Sequence, residues 1–521
     1  MAFDSLSTLT VTLNDLGLKI APPPAGPKVT LLGITSNSAI PLRDPFQVTN
    51  IGQAASSLYF SGANGGTYPG ELSLALEEAV GGGARAIEIV VIGHYSGAAL
   101  DTYVSPTNAA STRYDDLTQA YEVIKHTNLD VVVPVSAWAD ATGVTGAYGT
   151  QLANFCYQAA SEFDNTCIGV IGMMPILHWA YTWQDSIQSA SAAISGELVD
   201  FFGTTAAPTA SYTGNMAFGI PSISLVDEWA KYASQQHDDL TSATGQVEDA
   251  DIGFPTIFAN YLKGSTDPDG TFYPENSANA ATSVNSSYWT SWQATNSAGT
   301  AQTDQKGNEV DSGRRVCIVG SPMMTANNQV KALAIGLGGA LSNTVYNTDG
   351  AAAYAGFVTT LVPHSSTTNK VVPNLAARRA LSAKQANMLA ARRITTFLNK
   401  RAGHTVASGV TGAHNVSKYV RSDFVRLSTM RIVDAALKGI KGVAEPFLGE
   451  ANTAVNRNAM QAEIDKVLFR LQTAGALNGY EFFVSATPDQ QVLGEVEIDL
   501  TLVPAFEITK ITQSVSLAKA L

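Results

Sequence analysis

The chain contains few cysteines and few charged residues for its length. Three cysteines, at positions 156, 167 and 317, occur in 521 residues, and Lys, Arg, Asp and Glu together make up 14% of the chain. Three scattered cysteines exclude a disulfide framework and favour folding in a reducing, cytoplasmic compartment. Hydrophobic residues reach 45%, which excludes an intrinsically disordered chain and allows large buried cores.

Long apolar runs are also missing. No run approaches the roughly 18 residues that a membrane-spanning helix needs, so no membrane insertion is predicted. The first residues, MAFDSLSTLTVTLNDLG, lack a basic start followed by an apolar segment, so no signal peptide is expected. At about 150 residues per domain, the length predicts roughly three domains.

The spacings that mark common catalytic sites are absent as well. The chain has no G-x-x-x-x-G-K-[ST], H-E-x-x-H, C-x-x-C or G-x-S-x-G. His364 beside Ser365 is interpreted as structural, and Gly81–Arg85 as the end of a helix rather than a phosphate loop, because a strand follows it. Cys156 and Cys167 are interpreted as buried thiols. We therefore expect no enzyme activity, no cofactor and no metal.

Acidic residues outnumber basic ones, but the charge is unevenly distributed. The net charge of −13 argues against nucleic acid as a partner of the whole surface. Between Val371 and Gly442, however, thirteen basic residues face only two acidic ones, a local net charge of +11. This basic block indicates either an acidic partner on one face or a set of solvated helix faces.

Short apolar strands alternate with helices in the first third of the chain. Val29–Ile34, Ala86–Gly93 and Leu129–Ser136 are predicted strands, separated by amphipathic helical segments. This order predicts an α/β fold with a largely parallel sheet. The pattern stops from about Gln184 to Gly313, where Ser, Thr, Ala, Asn and Asp dominate, and this region is interpreted as an exposed insertion. Arg314–Gly320 then resumes a buried strand.

The last third contains further predicted elements. NQVKALAIGLGGAL, at 328–341, is predicted to be a helix, and a second helix should run from Ser382 to about Asn399. Two more helices are expected around Phe424 to Ile440 and Met460 to Leu471. YEFFVSA and GEVEIDLTLVP should form a strand pair, with TPDQQ in its turn.

Both ends of the chain alternate apolar and polar residues with the period of a strand. An isolated strand has unpaired backbone groups and must find a sheet edge, either in its own subunit or in a neighbour. In a neighbour, the pairing would be strand donation, and the side chains that would set its register are Leu9, Val11, Leu13, Ile511, Val515 and Leu517. The segment APPPAGP, after the first strand, would act as a stiff spacer.

Several stretches together resemble the contractile tail sheath proteins of bacteriophages and related injection systems. Towards the C-terminus these are Glu445-Pro446, a helix, GALNG, the strand pair and PAFE; near the start they are VTLLGI, IGQAASSLYFSG and ELSLALEEAVGGGARAIEIVVIG. The sequence departs from the family pattern in two places. FLGEA separates Glu445-Pro446 from Asn452, and Phe506 precedes Glu507 where the family has the reverse order.

The resemblance implies a multi-domain α/β (α+β overall) sheath subunit. Its expected parts are a core built from N- and C-terminal regions, an inserted outer domain and strand-forming terminal arms. The expected boundaries are an N-terminal arm with its linker at 1–26, core at 27–183, outer domain at 184–313, core at 314–370, a basic C-terminal core domain at 371–504 and a C-terminal arm at 505–521.

The resemblance also implies partners and a role. Copies of the chain would form homohexameric rings, stacked helically around a tail tube, with baseplate and tail terminator proteins at the ends. The sheath would be assembled in the host cytoplasm and would contract to drive the tube through a bacterial envelope. The basic residues expected to face the tube are Arg392, Arg393, Lys400, Arg401, Arg421, Arg426, Lys438 and Lys441. The alternatives are another lattice protein, such as a capsid or surface-layer subunit, and an α/β hydrolase.

Overall fold

The structure is a computed structural model. It describes residues 27–61, 67–97, 99, 110–137, 139, 142–143, 146–172, 294–303, 310–320, 324–331, 344–348, 350–373, 375–377, 383–391, 393–401, 403–413 and 423–507. None of the helices in these ranges is long and apolar enough to cross a membrane.

Strands and helices alternate in the first half of the chain and mix less regularly in the second. The strands are β1 Lys28–Thr35, β2 Phe46–Gln47, β3 Tyr59–Ser61, β4 Thr67–Pro69, β5 Ala86–His94, β6 Val131–Pro134, β7 Thr142–Gly143, β8 Gly146–Ala147, β9 Ile168–Gly172, β10 Val316–Val319, β11 Met324–Lys331, β12 Thr344–Thr348, β13 Leu375–Ala377, β14 Ile394–Thr395, β15 Phe397–Lys400, β16 Gly403–Val406, β17 Leu477–Ser485 and β18 Glu497–Pro504. The helices are α1 Ile51–Ser57, α2 Glu71–Gly82, α3 Ala110–Ile124, α4 Tyr148–Glu162, α5 Ala351–Thr360, α6 Ala383–Ala391, α7 Leu427–Ala444, α8 Ala454–Thr473 and α9 Pro488–Leu493.

A seven-stranded sheet forms the centre of the molecule, in the order β14-β10-β9-β6-β1-β5-β2. All its pairings are parallel except that of β2 with β5. The central strands are buried on both faces, as their continuous apolar sequences require. The predicted α/β fold with a largely parallel sheet is therefore confirmed.

Helices cover both faces of this sheet. Leu117 of α3 and Leu152 of α4 belong to the core on one face. Leu72 of α2 and Tyr354 of α5 belong to the core on the other face. A predicted helix end is confirmed at Gly83, whose φ of 111° is the left-handed conformation that commonly terminates helices.

Two predicted helices are wrong in part. The helix expected to run to Asn399 ends at Ala391, and Ile394–Thr395 then adds an edge strand beside β10. Likewise Met324–Lys331, whose last four residues were expected to begin a helix, is a strand between β12 and β13. In both places pairing with strands distant in sequence overrides the local helical pattern, because an edge strand supplies hydrogen bonds that sequence periodicity does not reveal.

The C-terminal helices and hairpin surround a core of their own. Ile432 and Ile440 of α7, Ile464 and Leu468 of α8, and Val484 of β17 are buried together there. These predicted helices and the strand pair are confirmed. The connection between β17 and β18 contains α9, which begins with a capping box at Thr487, where only a turn was expected.

The last residues of the predicted insertion pack against the α/β body. Ala294 and Ser312 are fully buried. Gln158 of α4 donates to the carbonyl oxygen of Thr295 at 2.9 Å, and the Ser297 N–H donates to Glu162 at the end of the same helix, also at 2.9 Å. The described end of this region is thus part of the packed structure.

Candidate assembly surface

A buried ion pair of the chain itself lies at the carboxyl edge of the parallel sheet. Parallel sheets of this kind bind ligands at that edge, where neighbouring connections leave to opposite sides. Here Glu71 and Arg113 form a buried pair, with 3.0 Å between Oε1 and Nη1 and 3.1 Å between Oε2 and Nη2. Glu71 also accepts the Ile34 N–H, and Arg113 donates to the Val135 carbonyl at 2.9 Å. These groups satisfy one another and stabilise the edge.

The cysteines are buried, as the sequence predicts. Burial raises the pKa of Cys317 to about 12, so its thiol stays protonated near neutral pH. Within the described ranges, no three His, Cys, Asp or Glu side chains come close enough to hold a metal ion.

The β17–β18 hairpin has no third strand beside it among the described residues. Its two antiparallel strands are in register from Ser485 opposite Glu497 to Gly479 opposite Val503. In the part of the chain that the structure describes, neither strand pairs with a third one. A two-stranded sheet with both edges open is marginally stable by itself and offers two rows of unpaired N–H and C=O groups.

One face of the hairpin is covered and the other is exposed. Tyr480, Phe482 and Leu500 point towards α7 and α8 and pack on the C-terminal core. On the opposite face, Phe483 is 60% exposed and lies opposite Asp499. The helices therefore hold the hairpin from one side and leave its edges accessible.

The residues predicted to donate strands cannot be placed on this hairpin. Leu9, Val11, Leu13, Ile511, Val515 and Leu517 all lie outside the described residues. The described chain reaches Glu507, three residues beyond β18, so the C-terminal segment starts next to the open hairpin.

Part of the basic block anchors helix α7 to the α/β body. The Lys438 ammonium donates to the Leu129 carbonyl and pairs with the Asp130 carboxylate. Lys441 Nζ donates to the Asp164 carbonyl at 3.0 Å. These two predicted tube-facing residues thus have partners within the chain, and their side chains hold two parts of the subunit together.

Arg431 of α7 reinforces the same contact from a buried position. Its guanidinium donates to the carbonyl oxygens of Leu361, Val362 and Ser365, just after the end of α5. Burial lowers the pKa of Arg431 to about 10, which still leaves it charged near neutral pH. The guanidinium therefore ties α7 to the loop that follows α5.

The other predicted tube-facing residues divide into four groups. Arg393 donates to the Ala413 carbonyl at 2.9 Å, and burial, with a smaller contribution from the neighbouring Arg426, lowers its pKa. Lys400 and Arg401 are exposed at the β15–β16 turn, where Lys400 donates to the Asn369 side chain. Arg426 pairs with Glu507. Arg392 and Arg421 lie outside the described residues.

Sequence reasoning missed the partners of these cations, which are the carboxylates of Asp130 and Glu507 and the backbone carbonyl of Asp164. Asp130 lies just before β6, Asp164 follows α4 and Glu507 follows β18, all far from α7 in sequence. The one available signal was the position of Asp130 and Asp164 at the amino-terminal ends of two adjacent parallel strands, which places them at one edge of the sheet.

Comparisons with known proteins give matches among solved structures alone. No family model matches the chain, and no curated protein matches it. A sheath chain of the PVC extracellular contractile injection system in its contracted state is 11% identical, with 94% of this chain and 92% of that chain covered and a TM-score of 0.48. A sheath tail protein from Listeria innocua is 10% identical, with 92% and 96% covered and a TM-score of 0.47.

A third match is partial. It is a chain of the anti-feeding prophage baseplate, 19% identical, with 39% of this chain and 55% of that chain covered and a TM-score of 0.31. Two of the three similar structures are thus sheath chains and the third is a baseplate chain.

Proposed function

We propose that this chain is a structural subunit of a contractile tail sheath, which polymerises around a tail tube and contracts to drive the tube through a bacterial envelope. The observation that carries the proposal is the β17–β18 hairpin, which is fixed on one face and has two open edges among the described residues. The strand-like sequences at both chain ends are the segments that would fill those edges in neighbouring copies.

Two donated strands per subunit make a lattice from a single kind of chain. Each subunit would give its N-terminal strand to one neighbour and its C-terminal strand to another, while its own hairpin accepts two strands. Main-chain hydrogen bonds would supply affinity, and alternate apolar side chains would fix the register. The extended arms would keep subunits connected while their bodies rotate. Contraction would then release free energy stored in a metastable extended lattice, without a nucleotide.

Truncation after Glu507 tests the strand-donation step. Because segment 508–521 is proposed to pair in a neighbouring copy, we expect a soluble monomer with the melting temperature of the full-length subunit. It should form no polymers by negative-stain microscopy or sedimentation. Polymers of the truncated chain, or failure of that chain to fold, would contradict the proposal. Shells or flat sheets from the full-length protein, in place of tubes, would identify a different lattice protein.

The tube-facing role is proposed for the exposed part of the basic block. Lys400 and Arg401 are the sharpest test, because both are exposed. Replacing both by Glu should weaken assembly on an acidic tube and leave the subunit fold intact. The wild-type dependence on the tube should weaken as salt rises, since the Debye length falls to about 3 Å at 1 M.

A matched control is the exposed pair of Glu463 and Lys466 on α8. Exchanging these two residues should leave both fold and tube binding unchanged. Unaltered tube binding by the Lys400→Glu, Arg401→Glu variant would refute the tube-facing assignment without touching the strand-donation step.

A further inference from the structure

Glu507 is buried at the point where the chain leaves β18. The Glu507 side chain is 10% exposed, whereas the preceding residue, Phe506, is 55% exposed. The Ala505 N–H donates to the Ala476 carbonyl at 2.9 Å and holds the backbone against the C-terminal core up to this point. The carboxylate therefore turns inward immediately before the C-terminal segment begins.

Arg426 is the partner of this carboxylate. Its Nη1 lies 2.8 Å from Glu507 Oε1 and 3.4 Å from Ser408 Oγ. Among the described groups, neither carboxylate oxygen accepts an aligned hydrogen bond, so the contact is an ion pair held by charge. Arg426 directly precedes α7, and its backbone forms an isolated antiparallel β-bridge with that of Val410.

Because Glu507 is largely buried, its carboxylate is stable there only while the charged guanidinium of Arg426 lies beside it. A buried carboxylate without a partner is strongly unfavourable, whereas one beside a guanidinium is tolerated. Glu507 therefore stays inside as long as Arg426 faces it.

We propose that Arg426 and Glu507 form a latch that fixes the starting point and direction of the C-terminal segment 508–521. The functional meaning rests on the proposed strand donation. Fourteen extended residues reach at most about 50 Å, so the place where they start decides which neighbouring hairpin they meet. Glu507 is thus a positioning residue for assembly, and Arg426 acts in the latch instead of on the tube.

Removing the charge of Glu507 and removing the charge of Arg426 should have different effects on the latch. Glu507→Gln leaves Arg426, whose side chain is 32% exposed and can be hydrated in place. Arg426→Gln leaves a buried carboxylate with no cation, which must move into water. Release of the segment should therefore be larger in Arg426→Gln than in Glu507→Gln.

Limited trypsin digestion of the full-length subunit measures this release directly. Lys510 follows Glu507 by three residues, and cleavage after it can be timed by mass spectrometry. Proteolysis of a transiently opened segment follows the population of the open form. We expect cleavage about 5- to 30-fold faster in Arg426→Gln, and a smaller increase in Glu507→Gln. The exchange Arg426→Glu, Glu507→Arg should return the rate towards that of wild type.

The control is Glu497→Gln, which removes an exposed carboxylate at the start of β18. Equal cleavage rates in this control and in both latch variants would overturn the latch, whatever the protein assembles into. Faster cleavage with unchanged polymers would overturn its role in positioning the segment. A wild-type protein that never polymerises would instead refute the proposed function, and the cleavage result would stand by itself.

Discussion

Arg315 and Asp434 form a buried ion pair between the α/β body and helix α7. The distance between Arg315 Nη1 and Asp434 Oδ1 is 2.9 Å, and the side chains are 6% and 10% exposed. Burial by itself lowers the pKa of Arg315, but the charge and hydrogen bond of Asp434 more than offset it, and the pKa is raised. The Arg315 guanidinium thus stays charged in the interior because the Asp434 carboxylate lies beside it.

Asp434→Ala should destabilise the subunit by about 3–5 kcal/mol, because it leaves the Arg315 guanidinium buried without compensation. Chemical denaturation of the monomer measures this loss. Glu463→Ala is the matched control, since its pair with Lys466 is exposed and should be worth less than about 1 kcal/mol. Similar losses in both variants would show that the pair at Asp434 is hydrated.

Gly82 allows helices α2 and α5 to approach closely. A Cβ built on Gly82 would lie 2.1 Å from the Ala353 carbonyl oxygen. Gly82→Ala should therefore force the helices apart at a cost of about 1–3 kcal/mol, seen as a lower melting temperature. Gly442→Ala, in α7, has nothing within 4 Å and should stabilise the helix by up to about 1 kcal/mol. An unchanged melting temperature for Gly82→Ala would contradict the close contact.

At the scale of elements, the N-terminal strand is predicted to act between subunits. Val11→Pro removes a main-chain donor and disrupts the pairing of a donated strand. We expect shorter polymers or none, with an unchanged melting temperature of the monomer, because the strand is proposed to pair with a neighbouring copy and not within its own chain. Val11→Ile should polymerise normally. A large fall in the melting temperature of Val11→Pro would mean that this strand pairs within its own chain.

At the scale of the whole molecule, helix α7 connects the two main cores. Lys438 and Lys441 reach the α/β body from one side of the helix, and Ile432 and Ile440 pack on the C-terminal core from another. Rotation of the α/β body would therefore be transmitted to the hairpin through α7. Part of the basic block that the sequence suggested as one surface is therefore used for contacts within the subunit.

The polar region from about Gln184 to Gly313 should be only partly dispensable. Replacing 184–293 by a Gly-Ser linker should preserve a soluble, folded subunit. Extending the replacement to 313 should lower its stability sharply, because Ala294 and Ser312 are buried and Thr295 accepts a hydrogen bond from α4. Circular dichroism and thermal melting of the two variants separate these outcomes. Equal stability would show that the contacts of 294–313 contribute little.

The sequence by itself determined the elements whose pattern is local. The apolar runs of β1 and β5 predict buried parallel strands, and the spacing of apolar residues in α7 and α8 predicts helices that pack on one side. The alternation in β17 and β18 predicts a half-buried hairpin. In each of these, the pattern of apolar residues agrees with the faces that are buried, so local preference and tertiary packing favour the same structure.

The tertiary structure alone decided what depends on distant partners. Ile394 continues a helical pattern in sequence, yet it joins the sheet because β10 offers an edge there. Lys438 and Arg426 are ordinary exposed cations by sequence, but Asp130 and Glu507, which are distant in sequence, lie beside them in the fold. Charge is visible in a sequence and its partner is not, because an ion pair depends on which elements the fold brings together.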